Sequence, residues 1–362
     1  MENKILSLVI PAYNMEKYLS RCVDSILIPI LMKYVEVLII NDGSTDNTLS
    51  IASKYQQLYP DYIKVIDKKN GNYGSVLNMA IATANGKYFK TLDADDWYHK
   101  NEFQKFIFDL LDCDEDLIIT GYCYYFEDLK KELPAFSYKE RHWNKTLDIK
   151  SKSLFYYKLN NELNMPAMAY KLSILKENKI QLQEKTYYTD SEFVYLPIHS
   201  ISTIKLIPYN VYVYYIGRND QSISKESVLR NFDSMYRICD RLTLDYLNTK
   251  DKQGTPQQNK LYLLYKYING VYKYIYLTEK YNTQILEFDR KIKSQDMILY
   301  NNLTEQIKTH NIPYLKLYRQ GYSNKYIQKK IARIEKLKRS LFYRIYSKLK
   351  RNIISIKVRI LS

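Results

Sequence analysis

The period of apolar and polar positions changes along the chain. Residues 5–10 (ILSLVI), 35–40 (VEVLII), 62–66 (YIKVI), 87–92 (KYFKTL) and 116–120 (DLIIT) are short, nearly continuous apolar runs. Runs of this kind are expected of strands covered on both faces. Residues 15–28, 75–85 and 100–111, and the stretch after NDGSTDNT at 41–48, are spaced as helices. The alternation predicts an α/β fold with a mostly parallel central sheet flanked by helices. Pro11 is expected to end the first strand. Asp42-Gly43 is expected to turn the chain after the second, with Ser44 or Thr45 capping the helix that follows.

From about 122 to 220 the pattern is mixed, with helices near 151–160 and 171–177 and β-branched or aromatic runs at 200–206 and 209–216. Beyond 226 it is helical and polar, broken near 254–256 and 311–313. In the last segment Ile327, Ile331, Ile334, Leu337, Leu341, Ile345, Leu349, Ile353, Ile356 and Ile360 recur every three or four residues among Lys and Arg. That spacing predicts a basic amphipathic helix. Three parts are expected: a catalytic α/β domain over 1–222, a helical accessory region over 223–322 and the basic tail over 323–362.

Composition agrees with more than one folding unit. The chain has 362 residues, 46% of them apolar, more than a single core of roughly 250–300 residues accommodates. Its four cysteines (Cys22, Cys113, Cys123 and Cys239) form no CxxC pair and are expected to be buried, reduced thiols, as in a cytoplasmic protein. The opening MENKILSLVIPAYN is too short and too soon interrupted for a secretory signal, and no apolar run reaches membrane-spanning length. Residues 324–362 hold thirteen Lys or Arg against Glu335 alone, +12 of the chain's net +16, so the other 323 residues share +4. The tail is therefore a separate electrostatic object, suited to an anionic membrane or to packing on protein. No RNA-binding signature accompanies it, and nucleic acid is not an expected partner.

In open α/β sheets ligands bind beyond the carboxyl ends of the strands. The first strand delivers Pro11, Ala12, Tyr13 and Asn14; the second, Asn41 and Asp42; the fourth, Asp93, Asp95 and Asp96. Asp93 and Asp95, two apart, would project to one side of an extended segment. Carboxylates gathered there repel one another unless a cation joins them. A hard divalent ion such as Mg²⁺ binds through one or two carboxylates plus substrate phosphates. The plainer reading is a solvated acidic turn before the helix at 100. No GxGxxG follows the first strand and no GxxxxGK[ST] occurs, which excludes a dinucleotide-binding Rossmann domain and a P-loop.

Residues 7–14 (SLVIPAYN), 36–48 (EVLIINDGSTDNT) and 86–97 (GKYFKTLDADDW), three motifs in order, closely resemble family 2 glycosyltransferases of GT-A fold. The resemblance implies a cell-surface polysaccharide enzyme of bacterial type. It implies a base pocket lined by Pro11, Ala12 and Tyr13, with Asp42 on the nucleobase, usually uracil. Asp93 would lie near the ribose or sugar, Asp95 would ligate Mg²⁺ or Mn²⁺ on the diphosphate, and Asp96 would contact the donor sugar. Residues 69–78 (KNGNYGSVLN) resemble the family's glycine-rich stretch before a helix whose N-terminus faces the donor, with Asn78 one turn in; a tight turn needing Gly71 and Gly74 is the simpler account. In TDSEF at 189–193, Asp190 matches the family's catalytic base, with Thr189 where a Glu is usual; Glu192 is the alternative base, and a helix cap the structural alternative for Asp190. Arg218, in YYIGRNDQSI, matches a segment that closes over the site and would neutralise diphosphate.

The resemblance thus implies an inverting transferase moving a sugar from a nucleoside diphosphate sugar to a hydroxyl of a glycan or lipid-linked glycan. It would work in the cytoplasm, at the inner face of the membrane if the tail binds lipid. The alternative is a non-catalytic, nucleotide-sugar-binding or scaffold member of the fold anchored by its tail.

Overall fold

The computed structural model describes residues 4–135, 143–154, 159, 163–217, 225–249, 254–275, 282–305, 313–323, 325–330, 332–333 and 336. Arg218 and most of the tail lie outside the described residues. Strand β1 (Leu6–Ala12) runs parallel between β2 (Val35–Asn41) and β4 (Tyr88–Thr91), and β3 (Ile63–Asp67) lies beyond β2. Leu6 through Ile10 of β1 and Val37 through Asn41 of β2 are buried, as both-face coverage requires. Helices α1 (Leu19–Asp24), α2 (Thr48–Leu58), α3 (Asn72–Thr83) and α4 (Lys100–Leu111) alternate with these strands. Between β4 and α4 lies the two-residue β5 (Trp97–Tyr98).

The rest of the sheet is built from β6 (Leu117–Phe126), β7 (Lys131–Pro134), β8 (Thr146–Asp148), β9 (Met168–Lys171) and β10 (Thr203–Ile216). The order is β3-β2-β1-β4-β9-β6-β10-β5, with β7 on β6 and β8 on β10. β9 is antiparallel to both neighbours, whereas β10 runs parallel to β6. The two aromatic runs expected at 200–216 are therefore one long strand. It is interrupted by register shifts around Asn210, the local irregularity that made it look like two.

The chain steps from β1 to β2 to β3 in one direction and then returns to β4 on the other side of β1. The change of direction lies between β1 and β4, where open α/β sheets bind ligands. The β1–β4 ladder stops at Val9 and Thr91, but β1 continues beside β2 to Ala12. This explains why Pro11 does not end the strand as expected: it pairs with Ile40 on one side, beyond the end of the ladder to β4, so its missing N–H costs the sheet nothing. Helix α2 also departs from expectation at its start, because Asp46 rather than Ser44 or Thr45 accepts the Thr48 N–H, at 3.0 Å. Gly86 before β4 is dictated by crowding, since a Cβ there would lie 2.4 Å from the backbone nitrogen of Ser7.

The chain divides into two compact units, Met1–Leu264 and Tyr265–Ser362. Within the first, α5 (Leu172–Glu177) follows β9, α6 (Asp190–Tyr195) precedes β10, and α7 (Lys225–Arg230) and α8 (Phe232–Asn248) follow it. Tyr195 at the end of α6 donates to the Leu242 carbonyl of α8 at 3.2 Å. Helix α9 (Thr255–Ile275) follows. The second unit holds α10 (Asn282–Gln295), α11 (Met297–Glu305) and α12 (Tyr314–Arg319). It is tied by Arg319, which pairs with Asp289 at 2.7 Å and lies 3.5 Å over the Tyr300 ring. Ile327, the first apolar position of the basic repeat, is buried. All four cysteines are buried and free, as their spacing predicts.

Candidate active site

The turns after β1 and β2 are tied side by side. Asn14, in left-handed backbone (φ 54), donates its N–H to Ser44 Oγ at 3.0 Å and accepts the Thr45 N–H at 2.8 Å. The Asp42 N–H donates to the Ala12 carbonyl at 2.9 Å, so Pro11, Ala12 and Tyr13 border Asp42. Ala12 is buried and offers backbone, while Tyr13 is 47% exposed and offers its ring. Asp42 is itself buried, and its Oδ1 accepts from Lys68 Nζ at 2.7 Å and from the Gly71 N–H at 3.0 Å. Both bonds use one oxygen, which leaves Oδ2 for a ligand. Lys68, unnoticed in the sequence, follows β3 as Asp42 follows β2; it also donates to Ser75 Oγ at 2.8 Å.

The glycine-rich segment is fixed by packing rather than by a ligand. A Cβ on Gly74 would lie 2.1 Å from the Gln183 carbonyl oxygen. The Asn78 side chain exchanges two hydrogen bonds with the Leu182 backbone, at 2.8 and 3.0 Å. Asn78 is therefore an anchor for the loop leading to α6.

After β4 the chain does not run extended through its acids. Asp96 N–H donates to the Asp93 carbonyl at 2.9 Å, closing a turn over residues 93–96. The turn separates the three carboxylates. Asp93 and Asp95 are half-buried, and Asp93 accepts the Tyr73 hydroxyl at 2.8 Å. Asp96 points inward and is 1% exposed. Its Oδ2 accepts the Tyr212 hydroxyl and its Oδ1 the Tyr215 N–H at 2.7 Å. Both oxygens of Asp96 are engaged by β10, and the residue holds the turn on that strand.

Asp190 opens α6, two residues after Tyr188, which is held at φ 64. A bulky side chain in left-handed backbone is a strained arrangement of the kind that collects at functional sites. Asp190 is exposed and stands close enough to Asp93 and Tyr73 for its charge to bear on both. Glu192, the alternative base, is fully buried; Arg241 Nη1, the Gln183 N–H and Gln183 Nε2 all donate to it at 2.8 Å. It pins the loop and α8 to α6 and has no face toward the cleft.

The acids of the cleft repel one another. Burial, then the charges of Asp95 and Asp190, raise the Asp93 carboxyl from its ordinary value to about 7. Burial, then Asp95 and Asp93, raise Asp96 as well. The donor atoms are all oxygens, which suits a hard divalent ion. The residues present fit Mg²⁺ or Mn²⁺.

Because its carboxyl titrates higher when folded, Asp93 contributes most below its ordinary value, and that contribution is lost as pH rises through about 7. Asp93→Asn should therefore raise the Tm of the metal-free protein at pH 8 by about 2–4 °C, with little change at pH 5. Thermal unfolding in EDTA at the two values checks this. An unchanged or lower Tm at pH 8 would show that the acids do not strain the fold.

A family profile described as Glycosyl transferase family 2 matches residues 7–173. An uncharacterised glycosyltransferase of Mycoplasma pneumoniae is 29% identical over 242 residues, 66% of this chain and 76% of that protein. The putative glycosyltransferase EpsH of Bacillus subtilis is 33% identical over 135 residues, 37% of this chain and 38% of that one. Chondroitin synthase of Pasteurella multocida is 43% identical over 93 residues, 26% of this chain and 9% of that one. Among solved structures, S. aureus TarS 1-349 in complex with UDP-GlcNAc superposes with a TM-score of 0.52 at 18% identity, covering 84% of this chain and 81% of that one. The helices, the sheet order and this likeness agree on a GT-A fold.

Proposed function

The chain belongs to the family 2 glycosyltransferases, and from that premise we propose that its acidic cleft moves a sugar from a nucleoside diphosphate sugar, UDP-linked, to an acceptor hydroxyl with inversion. The observation that supports the proposal is the convergence at the β1–β4 switch point of Asp42, buried after β2 with its bonds from Lys68 and Gly71 on one carboxylate oxygen, and of the acidic turn after β4. Asp190 takes the proton of the acceptor hydroxyl as its oxygen attacks the anomeric carbon. The bond from that carbon to the diphosphate breaks on the opposite face, and its electron pair leaves with the diphosphate. Tyr13 and Asp42 would hold the base, Asp93 would lie near the ribose or sugar, Asp95 would ligate Mg²⁺ or Mn²⁺, and Arg218 would neutralise the diphosphate. When bound, the ion supplies Lewis-acid neutralisation of the leaving group.

The UDP preference draws on the UDP-GlcNAc and UDP complexes of TarS. A glycan or lipid-linked glycan acceptor draws on the chondroitin and hyaluronan synthases of Pasteurella multocida among the relatives. Incubating the protein with UDP-, GDP-, CDP- and dTDP-sugars and Mn²⁺, and following release of the nucleoside diphosphate, tests the reading. Slow hydrolysis of a UDP-sugar, abolished by EDTA, is expected. Hydrolysis of none of them, with no binding, would leave the scaffold reading standing.

No described helix is long and apolar enough to cross a membrane. The basic tail is proposed to bring the enzyme to an anionic surface, where each Lys or Arg is worth about 1 kcal/mol. Full-length protein should float with anionic liposomes and a truncation after residue 323 should not; equal behaviour would assign the tail to protein packing.

A further inference from the structure

Away from the acidic turn, three potential metal ligands from distant parts of the chain meet on the other side of β10. His99 lies between β5 and α4, Cys123 in β6 and Glu132 in β7. One ligand atom from each lies within 4.8 Å of the others, and His99 Nε2 is 3.0 Å from Glu132 Oε2.

The pleat explains why they meet. The His99 N–H donates to the Val211 carbonyl, and Val213 of β10 pairs with Cys123 of β6. Cys123 pairs with Pro134 of β7, and Tyr125 with Glu132. Successive side chains alternate across a sheet, so His99, Cys123 and Glu132 share the face of Val211 and Val213. Tyr212 takes the opposite face, toward Asp96. The cluster's ligands are thus distinct from the carboxylates of the acidic turn.

We infer that His99, Cys123 and Glu132 form a site for a borderline-soft divalent cation of zinc type. Imidazole, thiolate and carboxylate are the protein ligands zinc takes, at about 2.0–2.3 Å. Tetrahedral coordination at those lengths needs neighbouring donors roughly 3.3–3.7 Å apart, so binding would bring to that spacing ligand atoms that now lie within 4.8 Å of one another. Cys123 is 6% exposed, whereas the His99 and Glu132 side chains are 35% and 36% exposed. The sulfur therefore forms the floor of the site, and the fourth position opens to water. On binding, the Cys123 S–H bond gives way to an S–metal bond and one proton is released. The ion clips the β6–β7 hairpin to the segment that begins just after Asp96. In that segment Trp97 packs edge-on against Tyr125, with ring centroids 5.2 Å apart, so the clip would buttress the acidic turn from behind. An all-oxygen site for Mg²⁺ or Mn²⁺ and a sulfur-containing site for zinc differ in chemistry, and each stands without the other.

Cobalt(II) is the probe, because a thiolate bound to it gives a charge-transfer absorption that oxygen ligands do not. Metal-free full-length protein titrated with Co²⁺ should develop that band at one equivalent, and Zn²⁺ should abolish it. The band should persist in Asp95→Ala and vanish in Cys123→Ser. Glu132→Gln, a change at a half-exposed position that leaves the core intact, should weaken Co²⁺ by at least the roughly tenfold that losing a supporting contact costs a metal site. A wild-type protein that shows no thiolate–cobalt band, or a band that survives Cys123→Ser, would overturn the site and leave a His99–Glu132 ion pair beside a buried thiol.

Discussion

Asp190→Asn is expected to reduce the turnover number for sugar transfer by about 10²–10⁴-fold, the range contributed by a positioned general base, while the donor Kd stays within about twofold. Asparagine keeps the shape of the side chain and removes only its ability to accept a proton. Asp190 is exposed at the start of a six-residue helix whose position is set by its neighbours. Glu192 is bolted to Arg241 and Gln183. Thr189 is turned inward, with its hydroxyl unpartnered among the described residues. The substitution should therefore leave the fold intact. Glu192→Gln supplies the contrast. Glu192 is buried but Arg241 is 35% exposed, so that variant should lose less stability than breaking a fully buried pair would cost, with turnover per folded molecule little changed. If Asp190→Asn transfers sugar at the wild-type rate, the proton goes elsewhere.

The second large effect is expected at Asp95. Asp95→Ala should weaken nucleoside diphosphate binding in Mn²⁺ by at least tenfold, about 1.4 kcal/mol, and leave metal-free binding as it was. It should also slow transfer, because neutralising a leaving diphosphate is worth several kcal/mol. Asp95 is suited to this by its place in the turn: its backbone carbonyl accepts from Arg21 Nη2 at 2.6 Å. That guanidinium lies 4.1 Å over the Trp97 ring and 4.7 Å over that of Tyr215. The carboxylate is thus carried on a segment held from both sides. Titrating Mn²⁺ dependence in the wild type and variant checks this; equal metal dependence would remove Asp95 from the site.

Strands β1 to β4 and helices α2 to α4 were legible because strands covered on both faces leave unbroken apolar runs and the intervening helices have their own period; the helix expected over 15–28 is only α1, Leu19–Asp24, and the two-residue β5 was not anticipated. β9 was not, because four residues inserted antiparallel between β4 and β6 have no periodicity of their own. The acids after β4 were legible as a group but not one by one. Reading 93–96 as extended missed the turn that the chain makes there. The Asp96-to-Asp93 hydrogen bond turns the chain and sends Asp96 into β10. Tyr73, Tyr212 and Lys68 were missed because each acts across a long stretch of sequence. Lys68 alone left a signal, a cation just past a strand end beside Asp42. The meeting of His99, Cys123 and Glu132 has no linear spacing to reveal it, since it depends on strand pairing.

If one cleft at the β1–β4 switch point holds a nucleoside diphosphate through a divalent ion, calorimetric titration of the full-length protein with UDP, in Mn²⁺ and again in EDTA, should give one site per chain, at least about tenfold weaker without the metal. Equal affinity in Mn²⁺ and EDTA, or no binding of UDP or any other nucleoside diphosphate, would contradict that reading.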